Sequence, residues 1–234
     1  FEQIRNDVSY HCADVKVVAG GGGLVYGALG MTHHVTQDLA IMRALPNITV
    51  IAPADPVETE LATGEIAATK GPCYLRLSRS GDESVTDHVS DFAIGKASTL
   101  REGNHLTLIA TGGIVVNVLA AADELARQGI QSRVLSMHTL KPIDVDAIAE
   151  SAQHTKAIVT IEEHSTVGGL GSAVVEQLSD MFATTVPVLR LGLPDQYCAT
   201  AGDQEFLRLQ YGLSAADIVN SIVKFVYNRA LIIP

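Results

Sequence analysis

The stretch GGGGLVYGALGMTHHVTQDLAIMRALPNITVIAPAD, residues 20–55, sets the pattern for the whole chain. It follows an apolar run at 15–19 with four consecutive glycines, then two adjacent histidines, a helix-like segment at 36–45 and a second apolar run at 48–52. Strand, loop, helix and strand in this order predict a parallel βαβ unit. Ligands of open α/β sheets bind beyond the carboxyl ends of the strands, so we expect the glycine loop at the functional edge.

The same alternation of strands and helices continues to the end of the chain. Short connections favour parallel strands with right-handed crossovers, and nearly continuous apolar runs are typical of sheets covered by helices on both faces. The sequence therefore predicts an α/β fold with two open, mostly parallel sheets, one in each half. The further predicted strands are 73–77, 106–110, 132–137, 157–162 and 187–191, and the further predicted helices are 55–70, 114–128, 144–153, 171–182 and 214–228.

A polar stretch divides the chain, which predicts domains at 1–84 and 98–234 joined by a linker at 85–97. Before it, Asp55 followed by Pro56 and Glu58 is a helix-start pattern, with a capping side chain, a proline at the first helical position and a capping-box glutamate.

Composition excludes several classes of protein. The 234 residues are 47% hydrophobic and 18% charged, which is typical of a well-cored globular chain. A net charge of −10 without a basic cluster argues against nucleic acid and anionic membrane surfaces as partners. Cys12, Cys73 and Cys198 form neither a CxxC pair nor a disulfide framework, which favours a reducing, cytoplasmic compartment. No apolar run approaches the ~20 residues that span a membrane.

The common phosphate-binding glycine motifs do not fit the loop. No GxGxxG register occurs, because Val25 or Tyr26 takes the position of the last glycine, and there is no GxxxxGK[ST]. Residue chemistry alone leaves two interpretations of His33 and His34. They are solvated histidines on a flexible loop, or ligands that donate, accept or carry charge near neutral pH.

Several motifs in order resemble the transketolase family. A Gly-rich loop, TH, RALPN, PAD and GPCYLRLSR resemble its pyrimidine-binding domain, and TLIATGGIV, VLSMHTLKPID, IVTIEEHSTVGGLGSAVVE and RLGLPDQY are similar to its C-terminal domain. The resemblance covers essentially the whole chain. It is strongest to the C-terminal half of a split transketolase, in which another polypeptide carries the diphosphate domain.

The resemblance implies a thiamine-diphosphate-dependent enzyme that transfers a two-carbon ketol unit from a ketose phosphate to an aldose acceptor. Thiamine diphosphate and Mg²⁺ are expected to be bound mainly by a partner domain or chain. A homodimer is also implied, together with a separate diphosphate-domain subunit. No metal site is predicted in this chain.

The same resemblance assigns roles to individual residues. His33 takes the place of the family histidine that contacts substrate oxygens and shuttles protons, so it is expected to act in catalysis and substrate binding. Arg79 takes the place of the arginine that holds the sugar phosphate, for which a planar, permanently charged guanidinium is well suited. His34 is a lesser substrate-binding candidate. Asp38 and Arg43 are interpreted as helix-start and packing residues.

The chain also departs from the family pattern. The glutamate that activates the cofactor and the aromatic residues that stack on its pyrimidine are expected upstream of Phe1. Leu29 stands where many transketolases have an acidic residue that contacts a substrate hydroxyl, and Met31 stands where proline is usual. These differences leave the substrate open and predict that the chain is inactive without its partner.

Other features favour structural roles. Neighbouring residues on a strand point to opposite faces, so EEH at 162–164 is not expected to bind a metal. GGIV at 112–115 and GGLGSA at 168–173 open helices, where anions can bind, although helix–strand packing is the favoured interpretation. His138 and Lys141 are interpreted as structural residues or subunit contacts.

Two alternatives to a transketolase remain. One is a related enzyme, either 1-deoxyxylulose-5-phosphate synthase, suggested by the THH form of the loop, or a 2-oxoacid dehydrogenase β subunit. Pyruvate consumption with release of CO₂ would distinguish both from ketol transfer. The other is a non-catalytic module whose C-terminal domain drives dimerisation.

Overall fold

A computed structural model describes residues 1–78, 83–87, 89, 91–181 and 186–231. A short π-type helix at Ile4–Ser9 precedes the first strand. The described residues form the strands β1 (Lys16–Ala19), β2 (Thr49–Ile51), β3 (Cys73–Arg76), β4 (Ser98–Arg101), β5 (Leu106–Thr111), β6 (Ser132–Ser136), β7 (Thr139–Lys141), β8 (Ile158–Ser165) and β9 (Val188–Leu193). They also form the helices α1 (Asp38–Arg43), α2 (Pro56–Ala68), α3 (Val115–Arg127), α4 (Val145–His154), α5 (Leu170–Asp180), α6 (Gln204–Gln210) and α7 (Ala215–Asn228).

The strands form two mostly parallel sheets, as the sequence predicts. The first sheet has the order β1–β3–β2–β7, and the second has the order β4–β6–β5–β8–β9. All pairs are parallel except β2 with β7 and β4 with β6, which lie at sheet edges. The carboxyl ends of β1, β2 and β3 therefore meet at one edge of the first sheet.

The expectation of one separate sheet for each half is wrong in one respect. Strand β7 comes from the second half of the chain but pairs with β2 in the first sheet, with Lys141 opposite Val50 and Thr139 opposite Ile51. The Lys141 ammonium also donates to the carbonyl oxygens of Arg43 and Leu45, at 3.0 and 2.5 Å, at the C-terminal end of α1. The two halves therefore share backbone pairing, which no local sequence pattern indicates.

The second sheet has apolar residues on both faces. Every residue of β5 and β8 is buried. Successive residues of β5 enter different clusters, because side chains alternate between the faces of a strand. Leu108 packs with Val118 and Ile222 of α3 and α7, and Ile109 packs with Ile148 of α4. Helices therefore cover both faces of this sheet, as its continuous apolar runs predict.

Two aspartates at helix starts fasten the linker that joins the halves. Asp55 caps α2 with one carboxylate oxygen, and its other oxygen accepts hydrogen bonds from the backbone nitrogens of Val85 and Thr86 at 2.7 and 2.8 Å. Asp144 caps α4 in the same way and accepts a 2.9 Å hydrogen bond from the Ala97 nitrogen. Each end of the linker is thus attached to a helix N-terminus.

Other elements differ from their predicted bounds. Helix α1 is shorter than the predicted 36–45. It begins at Asp38, after Gln37 as the N-cap, and ends at Arg43. Helix α6 was not predicted, since its seven residues are too few for a clear helical period. Strand β8 runs beyond the predicted end at 162 and includes Glu163, His164 and Ser165.

Cys12 is an exposed free thiol, and Cys73 and Cys198 are buried free thiols. Among the helices that the structure describes, none has the length and apolar content needed to cross a bilayer.

Candidate active site

The candidate site is built on the glycine–histidine loop, residues 20–35, which follows β1. The backbone nitrogen of Gly22 donates to the carbonyl oxygen of Leu77 at 2.9 Å, so the loop crosses from the end of β1 to the end of β3. Gly23 and Val35 then exchange two backbone hydrogen bonds of 2.8 and 2.9 Å. This bridge closes the segment between them and brings both histidines to the carboxyl edge of the first sheet.

The glycines are needed because the loop passes over a buried arginine. A Cβ atom at Gly22 would lie 2.5 Å from the Arg76 Nε atom and 3.0 Å from its Cδ atom. Gly23 has a φ of +69°, a conformation that other residues rarely adopt. Close approach at one position and backbone geometry at the next thus explain why Gly22 and Gly23 are glycines.

His33 is the more accessible of the two histidines. It ends a short 3-10 turn, Met31–His33, and its side chain is exposed. Its Nδ1 atom lies 3.1 Å from the hydroxyl of Thr32. The exposed ring therefore lies at the surface, beside the carboxyl edge of the first sheet.

His34 is partly buried against the loop itself. Its Nε2 atom lies 3.2 Å from the Gly27 carbonyl oxygen, a contact that requires the proton on Nε2. Its Nδ1 atom is buried and has no hydrogen-bond partner among the described residues. The side chain therefore supports the loop from within, with one ring nitrogen buried and without a partner among the described residues.

A buried ionic cluster lies beneath the loop. The Arg76 Nε atom is 3.1 Å from the Asp38 Oδ2 atom, and the Tyr74 hydroxyl donates to the same oxygen at 2.8 Å. Burial, together with the Asp38 charge, raises the pKa of Tyr74. Arg76 also donates to the Val35 carbonyl oxygen at 2.8 Å, which holds the end of the loop. Asp38 thus has an ionic role beyond the predicted helix start.

Sequence reasoning missed Arg76, although a signal was available. It is a charged residue within the apolar run CYLRL, and it is only 5% exposed. Buried charges require partners, so this position could have been identified as part of a polar cluster. Arg43, predicted as a packing residue, donates to the carbonyl oxygens of Gly168 and Gly169 and pairs with Glu176 at 2.6 Å.

Arg79, the predicted phosphate ligand, lies outside the described residues. The chain leading to it is described as far as Ser78, which lines a small cavity with Gly22, Arg76 and Gly112. Gly22, at the base of the glycine–histidine loop, and Ser78, the residue before Arg79, therefore lie close together.

The EEH segment does not converge on a common point. The Glu162 carboxylate accepts hydrogen bonds from the backbone nitrogens of Leu170 and Gly171, at 2.7 and 2.8 Å, and so occupies the N-terminus of α5. His164 lies on the same side, with Nδ1 3.6 Å from Glu162, while Glu163 points into a different set of contacts. The place at GGLGSA that could hold an anion is thus filled by the chain's own carboxylate.

Burial shifts the proton affinities of this segment in opposite directions. It raises the pKa of Glu162 to about 7 and lowers the pKa of His164 to about 4. The His164 Nδ1–H donates to the Ser165 carbonyl oxygen at 2.7 Å, and its Nε2 atom accepts from the Ala40 nitrogen at 3.3 Å. Both nitrogens of a neutral ring are therefore used in structure.

A cavity of about 720 Å³ lies away from the loop. It is formed by the N-terminal helix and residues 44–47, and its lining includes Arg5, Tyr10 and Asn47. These residues precede β1 and β2, so the cavity is at the opposite end of the strands from His33. Its position gives it no part in the candidate site.

The described residues do not fit the diphosphate and Mg²⁺ that the family resemblance implies. Mg²⁺ needs a set of hard oxygen ligands, and no three His, Cys, Asp or Glu side chains come together in the described part of the chain. The glycine–histidine loop itself carries no carboxylate.

Comparison with known proteins finds two family domains in the chain. The family model "Transketolase, pyrimidine binding domain" matches residues 1–81, and "Transketolase, C-terminal domain" matches residues 95–218. A subunit of an apulose-4-phosphate transketolase from Phocaeicola vulgatus is 38% identical, over 96% of this chain and 71% of that protein. A 6-deoxy-6-sulfo-D-fructose transketolase subunit from a Clostridium species is 40% identical, over 94% of this chain and 67% of that protein.

Other relatives include a different enzyme and two solved structures. The 1-deoxy-D-xylulose-5-phosphate synthase of Desulfitobacterium hafniense is 36% identical over 94% of this chain, which covers 35% of that protein. A structure described as a split gene transketolase, inactive beta4 tetramer, superposes with a TM-score of 0.83 at 39% identity, over 96% of this chain and 70% of that one. Campylobacter jejuni transketolase shares the fold, with a TM-score of 0.71 at 21% identity, over 89% of this chain and 31% of that one.

The described residues form two mostly parallel α/β sheets, with the glycine–histidine loop at the carboxyl edge of the first. The matches to both domain models and to the relatives across nearly the whole chain show that it belongs to the transketolase family.

Proposed function

We propose that this chain is the subunit of a transketolase-type enzyme that carries the pyrimidine-binding and C-terminal domains and acts with a separate diphosphate-domain subunit. The enzyme transfers a two-carbon ketol unit from a ketose phosphate to an aldose acceptor. The observation that carries the proposal is the closed glycine–histidine loop, which holds His33 exposed at the carboxyl edge of the first sheet. Relatives named as transketolase subunits support the same reaction class.

The chain's own residues position the substrate and move protons. When bound, thiamine diphosphate supplies the carbanion chemistry that breaks and forms the C–C bond. His33 binds a substrate oxygen and transfers a proton there, and His34 lies beside it as a lesser substrate-binding candidate. Arg79 binds the sugar phosphate. The contact of Gly22 with Leu77, two positions before Arg79, supports one shared cleft.

The partner subunit provides the Mg²⁺ and diphosphate sites. Two observations support this division. The chain lacks a suitable cluster of ligands among its described residues, and a related split transketolase is described as an inactive β4 tetramer. The active assembly contains a homodimer of this chain. The free thiols support a reducing, cytoplasmic setting.

The domain boundaries follow the predicted division into 1–84, a linker at 85–97 and 98–234. Support comes from Asp55 and Asp144, whose carboxylates fasten the beginning and end of the linker to two helices.

Reconstitution tests the proposed function. The polypeptide is mixed with the diphosphate-domain subunit from the same genome, thiamine diphosphate and Mg²⁺, and assayed with a panel of ketose phosphates and aldoses. Transfer of a two-carbon unit by the mixture, and by neither subunit alone, is the expected result. A mixture that assembles but transfers no such unit from any ketose phosphate contradicts the proposal.

A second candidate function is 1-deoxyxylulose-5-phosphate synthesis. It is favoured by the match to a synthase at 36% identity over 94% of this chain. The same reconstituted pair distinguishes the two reactions, because only the synthase consumes pyruvate and releases CO₂.

A further inference from the structure

The end of β8 lies directly under the glycine–histidine loop. The Glu163 carboxylate is 4% exposed and accepts a 2.6 Å hydrogen bond from the backbone nitrogen of Leu24, at the start of the loop. The same carboxylate accepts a 2.6 Å hydrogen bond from Arg208 Nε and a 2.9 Å hydrogen bond from Gln204 Nε2, both on α6. A residue of the second sheet thus reaches into the first domain.

Glu163 also holds the other end of the loop through its backbone. Its carbonyl oxygen accepts a 3.0 Å hydrogen bond from the Arg76 guanidinium, and the same Nη2 atom donates to the Val35 carbonyl oxygen at 2.8 Å. A Cβ atom at Gly23 would lie 2.9 Å from the Glu163 Cδ atom. Both ends of the closed segment therefore rest on one glutamate.

The residues after Glu163 continue this support. The Ser165 nitrogen donates to the Thr36 carbonyl oxygen at 2.8 Å, and His164 accepts from the Ala40 nitrogen at 3.3 Å. Three successive residues of β8 therefore form hydrogen bonds with the first domain, from the glycine–histidine loop to α1. A buried ion pair such as Glu163–Arg208 is weak evidence for added stability, since desolvation offsets much of the attraction. Its value here is the fixed position that it gives to Leu24.

We propose that Glu163 is a positioning residue for His33, acting through the two ends of the glycine–histidine loop. It contacts neither substrate nor cofactor in this assignment. The proposal rests on the proposed function, because it takes His33 as the residue that meets the substrate.

Hydrogen exchange tests the positioning without any assay of activity. Glu163→Ala is compared with Glu205→Ala, which removes the other, exposed carboxylate paired with Arg208. We expect Glu163→Ala to speed amide exchange in residues 24–35 by about 10-fold or more while α2 stays protected, because the loop loses its attachment locally. Glu205→Ala should leave the loop unchanged. Equal exchange in both variants, or faster exchange everywhere, overturns the proposal.

A double-mutant cycle in the reconstituted enzyme tests the link to His33. We expect Glu163→Ala to lower kcat/KM by about 10-fold in the wild-type background, since small misplacements of a reacting group are costly. In the His33→Ala background the further loss should be under about 2-fold, because the two residues act as one unit. The same fold-loss in both backgrounds is the result of a purely structural role and overturns the proposal.

Two further outcomes are decisive. Full activity of His33→Ala contradicts the role proposed for His33 but not ketol transfer by the enzyme, and the exchange comparison then decides alone whether Glu163 holds the loop. If Glu163→Ala does not fold, Glu163→Gln replaces it, because an amide keeps the shape but loses the charge opposite Arg208. The same loop-specific exchange at smaller amplitude is then expected, and its absence overturns the proposal.

Discussion

The Ser136 hydroxyl donates a 3.0 Å hydrogen bond to the Glu58 carboxylate, and this bond joins the second sheet to the helix that covers the first. The same Glu58 oxygen accepts a 2.9 Å hydrogen bond from the Ala54 nitrogen. Burial outweighs these hydrogen bonds and raises the pKa of Glu58 to about 7. Contact between the domains therefore includes a carboxyl group that is protonated under mildly acidic conditions.

Two buried carboxyl groups and two buried histidines have opposite effects on the pH dependence of the free energy of unfolding. Burial raises the pKa of Glu58 and Glu162 from 4.5 to about 7. Their contribution to the free energy of unfolding is therefore fully present below pH 4.5 and is lost as the pH rises to about 7. Burial lowers the pKa of His138 and His164 to about 4 from 6.5, so their contribution is full above 6.5 and is lost as pH falls to 4.

The free energy of unfolding should therefore change little between pH 4.5 and 6.5, where both windows overlap. Replacing one acid by Glu58→Gln leaves one histidine uncompensated. The free energy of unfolding of this variant should rise with pH across the window by about 1.4 kcal/mol per pH unit. Urea unfolding at several pH values measures the slope. A Glu58→Gln slope equal to that of the wild type would show that Glu58 does not titrate in this range.

Much of the fold could be predicted because its signals are local. The apolar runs at 15–19 and 73–77 became β1 and β3, and the pattern at Asp55 became the start of α2. Even there, one detail required coordinates: the Glu58 side chain bonds to the Ala54 nitrogen rather than to that of Asp55.

What the sequence could not predict depends on residues far apart in the chain. Strand β7 is three residues long and pairs with residues about ninety positions earlier, so no periodicity marks it. The link from Glu163 to Leu24 spans 139 positions. The glycine–histidine loop could be located from its glycines and its place after a strand, but its hydrogen bonds to distant residues could not be predicted.

Substitution of Gly169 should be strongly destabilising. A Cβ atom there would lie against the Glu162 carboxylate and 2.7 Å from His164 Nδ1, and both side chains are fully buried. Overpacking of this kind costs typically about 1–3 kcal/mol, and the lost cap of α5 adds to it. Thermal unfolding should show a clear fall in Tm for Gly169→Ala.

The matched control is Gly64→Ala, in the exposed middle of α2, where an added Cβ would meet nothing within 4 Å. It should stabilise the protein by about 0.5–1 kcal/mol, because alanine is the better helix former. If Gly169→Ala is no less stable than Gly64→Ala, the packing between Glu162 and α5 is not as described.

Asp55→Ala should cost more than the loss of an ordinary helix cap. Removing a cap costs about 1 kcal/mol, and each buried group left without a partner at Val85 or Thr86 adds about 1–3 kcal/mol. Asp203, which caps the short helix α6 through the Phe206 nitrogen, provides the comparison. We expect a loss of about 3 kcal/mol or more for Asp55→Ala against about 1 kcal/mol for Asp203→Ala. Equal losses in urea unfolding would mean that the linker gains nothing from Asp55.

His33→Ala should impair the reaction without impairing the fold. The ring is exposed, and among the described residues its one side-chain hydrogen bond is with Thr32, so the free energy of unfolding should change by less than about 0.5 kcal/mol. Loss of a group that transfers protons at the substrate lowers kcat by typically about 10²–10⁴-fold. Steady-state kinetics of the reconstituted enzyme, with unfolding measured on the same samples, separate the two effects.

The control for this variant is His11→Ala, at another exposed histidine, which lies before β1 at the other end of the strands. It should retain wild-type kinetics. Arg79→Ala should instead raise the KM for phosphorylated substrates more than it lowers kcat, because it removes phosphate binding, and unphosphorylated sugars should respond less. Full activity in both His33→Ala and Arg79→Ala would mean that the substrate binds elsewhere, and that the glycine–histidine loop serves the packing of the two domains alone.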